Sequence, residues 1–228
     1  MKVLYQKSNS REGRRYSVIQ VNDDNCDSIR AIADSTFSYA RFFGKKPEQK
    51  IQYIVKQPQT SISFHDAKAA YEEEARIWDL VHPDRKADLI VDADGRELLL
   101  VLPCPPGDPI SKYDSETSDP LTSCQQLLAV VAALKKFEEL GYCFGDFKSD
   151  KIFLEKNSDD TFKAHLVGFE NVHKVAEFQP NTHWTWLNAF SNAIPNLPNH
   201  NYHSFAELAQ DLSVEIGELG KKKQLVQT

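Results

Sequence analysis

Short β-rich runs occupy residues 3–7, 16–21 and 51–56, the last ended by Pro58, with polar turn chemistry at 22–27 and 44–49. The pattern therefore predicts three strands at the start of the chain. The period then changes. From Asp66 to the His82-Pro83 stop, Ala70, Ile77 and Val81 recur at helical spacing and predict a helix. Two apolar runs around Ala93-Asp94-Gly95, an Asp-Gly hairpin signal, add two strands, so five strands and one helix make a first lobe over residues 1–102. Residues 103–109, with four prolines and a glycine, predict no regular structure and read as a hinge. A second lobe, 110–228, opens with an amphipathic helix over 121–140, with Leu127, Leu128, Val131, Leu134 and Phe137 on one face and Gly141 closing it. Strands at 151–155 and 163–169 follow around a turn at 157–160, then an irregular region at 171–200 and a last helix over 203–220 ending at glycine. No internal repeat and no low-complexity tract interrupts this order.

Composition narrows the class. With 228 residues the chain is long enough for one domain, or one domain built as two lobes, and a hydrophobic fraction of 41% with 11% aromatic residues predicts a globular protein. A formal charge of −6 argues against a surface that tracks phosphates, so nucleic acid is not an expected partner, and Lys221, Lys222 and Lys223 read as a solvated end. Cys26, Cys104, Cys124 and Cys143 stand singly, without a C-x-x-C pair, which excludes a written zinc site or disulfide framework and predicts reduced thiols in a cytoplasmic, reducing compartment. No run approaches the roughly 20 apolar residues of a membrane span. Residues 1–10 lack the apolar core of a signal peptide, so a soluble protein is expected, with specialised export into a host cell left open.

Candidate chemistry concentrates in a few stretches. Lys56 ends the strand "YIVK", and the helix after it carries Glu72, Glu73 and Glu74. Of these, Glu74 has Ile77, Trp78 and Val81 three, four and seven residues on, whereas Glu73 would put Arg76 at the first of those places. "FGDFKSDK" places Asp146, Lys148, Asp150 and Lys151 between a helix and a strand, and "LVGFEN" places Gly168 and Glu170 after the next strand. His183, Trp184 and Trp186, with His200 and His203, lack metal-ligand spacing and read as a packed aromatic patch; an exposed tryptophan pair there would mark a protein-partner surface.

In order and spacing, these stretches resemble the protein-kinase family from about Ile32 to Leu219. The resemblance implies an α+β, bilobal protein-kinase-like fold: a five-stranded first lobe with one helix, and a reduced, mainly helical second lobe. It further implies ATP as ligand, with Lys56 and its partner Glu74 at the phosphates, Phe37 at the tip of the phosphate loop, and Leu102 and Cys104 on the nucleotide-binding side of the hinge. Asp146 falls on the catalytic aspartate and Lys148 on the lysine beside it.

The departures from the family pattern are chemical. Lys151 replaces the metal-binding amide five residues after Asp146, Gly168 replaces the metal-binding aspartate, and Ala33, Ser35 and Ser38 stand at the three glycine positions of the phosphate loop. This puts magnesium in question, with Glu170 and Asp150 as the carboxylates left to serve as displaced ligands. The resemblance thus implies a pseudokinase acting by binding a protein partner or a nucleotide, the nucleotide either held without Mg²⁺ by lysines or not bound well at all. The rival readings are an active, divergent Ser/Thr-type phosphotransferase, and an effector-type kinase fold turned to another transfer chemistry.

Overall fold

The computed structural model of the chain describes residues 2–9, 14–20, 29–33, 39–44, 52–56, 62–91, 98–110, 119–177, 182–199 and 201–227. Cys26, Ser35, Phe37, Ser38, Pro58, His200 and the expected turns at 22–27, 45–49 and 93–95 lie outside them. The chain divides into two compact units, Met1–Cys104 and Pro105–Thr228.

In the first unit, β1 (Lys2–Asn9), β2 (Arg14–Gln20), β3 (Ile29–Ala33), β4 (Tyr39–Gly44) and β5 (Gln52–Lys56) precede α1 (Phe64–Val81), which is followed by β6 (Asp88–Val91) and β7 (Leu98–Pro103). All seven strands join one antiparallel sheet in the order β1-β2-β3-β4-β5-β7-β6. The sequence pattern predicts five. The two it misses, β3 and β4, pair with each other over five residue positions, and their Ile, Tyr and Phe residues are good strand formers. Strand β7 lies between β5 and β6, and residues 98–102 are buried without alternation, as a strand covered on both faces requires.

Helix α1 starts two residues before the expected Asp66: the Ser63 hydroxyl caps it by accepting from the Asp66 backbone N–H at 3.1 Å. Ala67, Tyr71, Glu74, Ile77 and Trp78 form the buried stripe, whereas Ala70, expected inward, is exposed. Trp78 is fully enclosed, and its indole N–H donates to the Arg85 carbonyl at 2.6 Å.

The second unit begins where no regular structure was expected. Pro103 still closes β7, and Asp108–Pro109 forms a short strand, β8, opposite Leu154 and Phe153. Proline is tolerated at these strand ends, where no ladder donor is required of it. Gly107, at φ +92°, is forced: a Cβ there would overlap the Leu154 carbonyl. Then come α2 (Pro120–Glu139), β9 (Tyr142–Phe144), β10 (Ile152–Lys156), β11 (Phe162–Leu166), β12 (Val172–Lys174), α3 (Thr182–Asn192) and α4 (Phe205–Gln227). Strands β11-β10-β8 form one sheet and β12-β9 a ribbon, and α2 packs against α4, β9 and β11. Asp119 caps α2 through the N–H groups of Leu121 and Thr122, and Gly141, at φ +88°, ends it.

Two expectations for this unit are corrected. Residues 171–200 are not irregular throughout, since they hold β12 and α3. Threonine, asparagine and tryptophan are weak helix formers, so α3 draws on packing of His183, Leu187 and Ser191, spaced by four. Nor does α4 end at Gly220; it runs on to Gln227, because one glycine costs only about 1 kcal/mol and the lysines and glutamine after it favour helix. Among the described residues, no helix is long and apolar enough to cross a membrane.

Candidate functional site

Lys56 is the last residue of β5, in register with Tyr39 on one side and Leu100 on the other. Its ammonium donates to Glu74 Oε1 at 2.5 Å, and the side chains are 4% and 2% exposed. Helical geometry selects this glutamate. Glu74 lies on the stripe of Ala67, Tyr71 and Trp78, while Glu73 faces outward and holds Arg76 through two hydrogen bonds of 2.6 and 2.7 Å. Desolvating two charges is costly, so such a pair contributes little net stability, yet removing one partner strands the other. On the neighbouring β7, Leu102 is fully buried, and Cys104 just beyond it is also buried.

The second unit holds the acid-and-lysine loop. Buried Phe144 and Phe147 anchor it on either side: Phe144 packs on Phe137 at 4.9 Å between ring centroids, and Phe147 meets the edge of Trp186 at 5.5 Å. Between them, the Gly145 N–H donates to the Asn171 carbonyl at 2.8 Å. A Cβ at Gly145 would lie 2.6 Å from His173 Nε2 and 2.8 Å from Asn171 Oδ1, so the side chains of Asn171 and His173 are seated directly on it. The glycine in "FGD" is the sequence signal for this close approach. Asp146 emerges half-exposed, and Lys148 Nζ donates to its Oδ2 at 2.7 Å. The carboxylate beside Lys148 raises that lysine above its ordinary range, although the pair is solvated and adds little stability.

Lys151 is placed differently. It ends a single helical turn, Ser149–Lys151, and its carbonyl accepts from Val167 N–H at 2.9 Å. Its side chain, 10% exposed, donates from Nζ to the Gly168 carbonyl at 3.0 Å and to Glu170 Oε1. Gly168 adopts left-handed backbone, φ +71°, and opens the turn Phe169–Asn171. Phe169 is buried on Phe137 and Phe144, which fixes that turn against α2 and β9. Asp150 Oδ1 is buried without a hydrogen-bond partner among the described residues.

The histidine and tryptophan cluster is a packed aromatic patch. His183 stacks on Phe205 at 5.5 Å, and Trp184 packs on the same ring at 4.8 Å, while Trp184 and Trp186 are only half-buried. His183 Nε2 lies 3.4 Å from Glu138 Oε1 but makes no hydrogen bond. Burial drives this imidazole down to about 4, so at neutral pH the ring is uncharged and the contact is not an ion pair. His203, also in the expected cluster, is exposed.

No protein-family model and no curated protein matches the chain. Among solved structures it is similar to the bifunctional kinase-methyltransferase WbdD, with a TM-score of 0.50 and 14% identity over 77% of this chain and 42% of that one. It is also similar to vaccinia related kinase 3, with a TM-score of 0.40 and 14% identity over 76% of this chain and 52% of that one. The chain thus spans about half the length, or less, of these proteins. Its fold is protein-kinase-like, of the α+β class.

That fold implies magnesium held by an amide and a carboxylate. The residues at the two positions do not fit the ion. Lys151 brings an ammonium, Gly168 brings only backbone, and the adjacent Glu170 carboxylate is already engaged by Lys151. The ammonium coordinates nothing, and its pairing with Glu170 already balances the charge that this carboxylate would otherwise offer an ion.

Proposed function

We propose that this chain is a degenerate protein-kinase-like domain, a pseudokinase that acts by binding a protein partner and nucleotide rather than by transferring phosphate. The observation that carries the reading is the Lys151 ammonium, held between the Gly168 carbonyl and Glu170 at the positions that otherwise supply metal ligands. Phosphoryl transfer depends on cations that bridge the phosphates and offset the charge developing in the transition state. A lysine supplies one positive charge and coordinates nothing. The buried Lys56–Glu74 pair supports the nucleotide part of the reading, since it keeps a lysine at the end of a central strand in one orientation. The partner part rests on the missing metal ligands, since the tryptophans of α3 pack on Phe205, Phe147 and Phe190.

A second reading, an active and divergent phosphotransferase, is favoured by one observation: Asp146 remains solvent-accessible and keeps Lys148 as hydrogen-bond partner. On that reading Asp146 orients a hydroxyl, and Glu170 or Asp150 recruits metal.

Thermal melting with ATP, in EDTA and in Mg²⁺, separates the readings. A ligand at 100 times its Kd adds about 2.7 kcal/mol of stability. The pseudokinase reading expects ATP in EDTA to raise Tm at least as much as ATP with Mg²⁺. A rise that appears only with Mg²⁺ contradicts it, and no rise in either condition removes nucleotide from the proposal and leaves a partner-binding module.

A further inference from the structure

We infer that Lys151 is a resident cation interlocked with Gly168, so that the lysine and the glycine work as one unit and Glu170 is the counter-ion of the lysine rather than a metal ligand. The inference deepens the pseudokinase reading and rests on it. Three observations converge. Lys151 is nearly buried, and its ammonium is committed to two oxygens, the Gly168 carbonyl and Glu170 Oε1. A Cβ built on Gly168 would lie 2.8 Å from both Cδ and Nζ of Lys151 and 3.3 Å from Glu170 Oε2. Finally, the Lys151 backbone is tied at both ends, its N–H to the Lys148 carbonyl at 3.0 Å and its carbonyl to Val167 N–H at 2.9 Å, so any yielding falls on the side chain and costs the ammonium its contacts with the Gly168 carbonyl and Glu170.

The left-handed backbone at residue 168 does not by itself demand glycine, since aspartate and asparagine visit that region at modest cost. The lysine does demand it. Any side chain at 168 and the extended Lys151 compete for one volume, and a carboxylate there would displace the ammonium from the Gly168 carbonyl. The same geometry works against a divalent ion at this turn. The Gly168 carbonyl and Glu170 already face the positive charge of Lys151, which leaves Asp150 as a carboxylate of the loop that Lys151 does not engage.

Two measurements test this in the full chain. The first is a double-mutant cycle of Gly168→Ala with Lys151→Ala, read by thermal melting. The cost of left-handed backbone is common to both backgrounds and cancels, so the coupling reports the steric conflict alone. The expected result is that Gly168→Ala lowers Tm by at least about 4 °C more beside Lys151 than in the Lys151→Ala background, where only the backbone cost remains. An additive cycle overturns the interlock while leaving the pseudokinase reading intact.

The second is Mn²⁺ binding by electron paramagnetic resonance. The wild-type chain is expected to take up none below about 1 mM, and Lys151→Asn with Gly168→Asp to bind at least about tenfold more tightly. A folded double variant without that gain overturns the resident-cation assignment. Wild-type Mn²⁺ binding that Glu170→Gln abolishes overturns both this inference and the reading it rests on.

Discussion

Glu74→Ala is expected to destabilise the first unit by about 3–5 kcal/mol, the cost of breaking a buried ion pair from one side. The side chains of Lys56 and Glu74 are 4% and 2% exposed, so water cannot take over the solvation that the carboxylate provides at 2.5 Å. Glu73→Ala, one residue away, removes an exposed pair with Arg76 and should cost less than about 1 kcal/mol. Urea melts of the two variants are the check. Replacing both buried partners by apolar residues, Lys56→Met with Glu74→Leu, should recover most of the loss, because no ion is then left in the core. Recovery in stability without recovery of ATP binding would separate what the pair does for folding from what it does for a ligand. Equal costs for Glu73→Ala and Glu74→Ala would mean that the assignment of the inward glutamate is wrong.

Acid should weaken the second unit through His183, by up to about 3 kcal/mol. The ring is 1% exposed, and burial lowers it from 6.5 to about 4. A histidine depressed in the folded state stays neutral while the unfolded chain takes up a proton. Its contribution is therefore complete above about pH 6.5 and is lost as pH falls toward 4, with nothing further lost below that. Glu138 faces Nε2 from α2, and burial raises that carboxyl above its ordinary range, an opposing effect that grows as pH rises through its own titration. The histidine component is isolated by comparing wild type with His183→Phe, which keeps a ring to stack on Phe205 and brings no proton site. Stability curves between pH 4 and 7 should flatten in the variant. Parallel curves would show that the acid sensitivity lies elsewhere.

Much of the site was legible residue by residue. Spacing selected Glu74 over Glu73, because a buried helix face needs apolar neighbours three and four residues on, and Ile77 and Trp78 are buried there. The unusual residues at 151 and 168 also stood out, since an ammonium and a bare backbone offer no metal ligand. What could not be read was their contact. The two positions are 17 residues apart, and they meet because β10 and β11 pair in a register that sets Ile152 opposite Leu166. The role of Glu170 as counter-ion follows from that meeting and from the left-handed turn at Gly168, neither of which has a local signature.

The fold was legible where periodicity was strong, as in α1 and α2, and obscure where tertiary pairing overrode composition. Helix α3 belongs to the second group, whereas β3 and β4 carry strand-forming Ile, Tyr and Phe that the sequence reading passes over. For α3 a signal existed, the four-residue spacing of His183, Leu187 and Ser191, but two of those three residues are polar. The aromatic support beneath the acid loop was likewise hidden, because Phe137, Phe144 and Phe169 come from a helix, a strand and a turn that only the fold brings together.

The central claim is that the loop around Asp146 has exchanged its metal clamp for a lysine and with it has given up phosphoryl transfer. The most direct measurement is transfer of radiolabelled γ-phosphate from ATP, with Mg²⁺ or Mn²⁺, to the chain itself and to a generic protein substrate, for wild type beside Asp146→Asn. The account predicts incorporation by wild type indistinguishable from that of the variant. Incorporation that Asp146→Asn abolishes would contradict it.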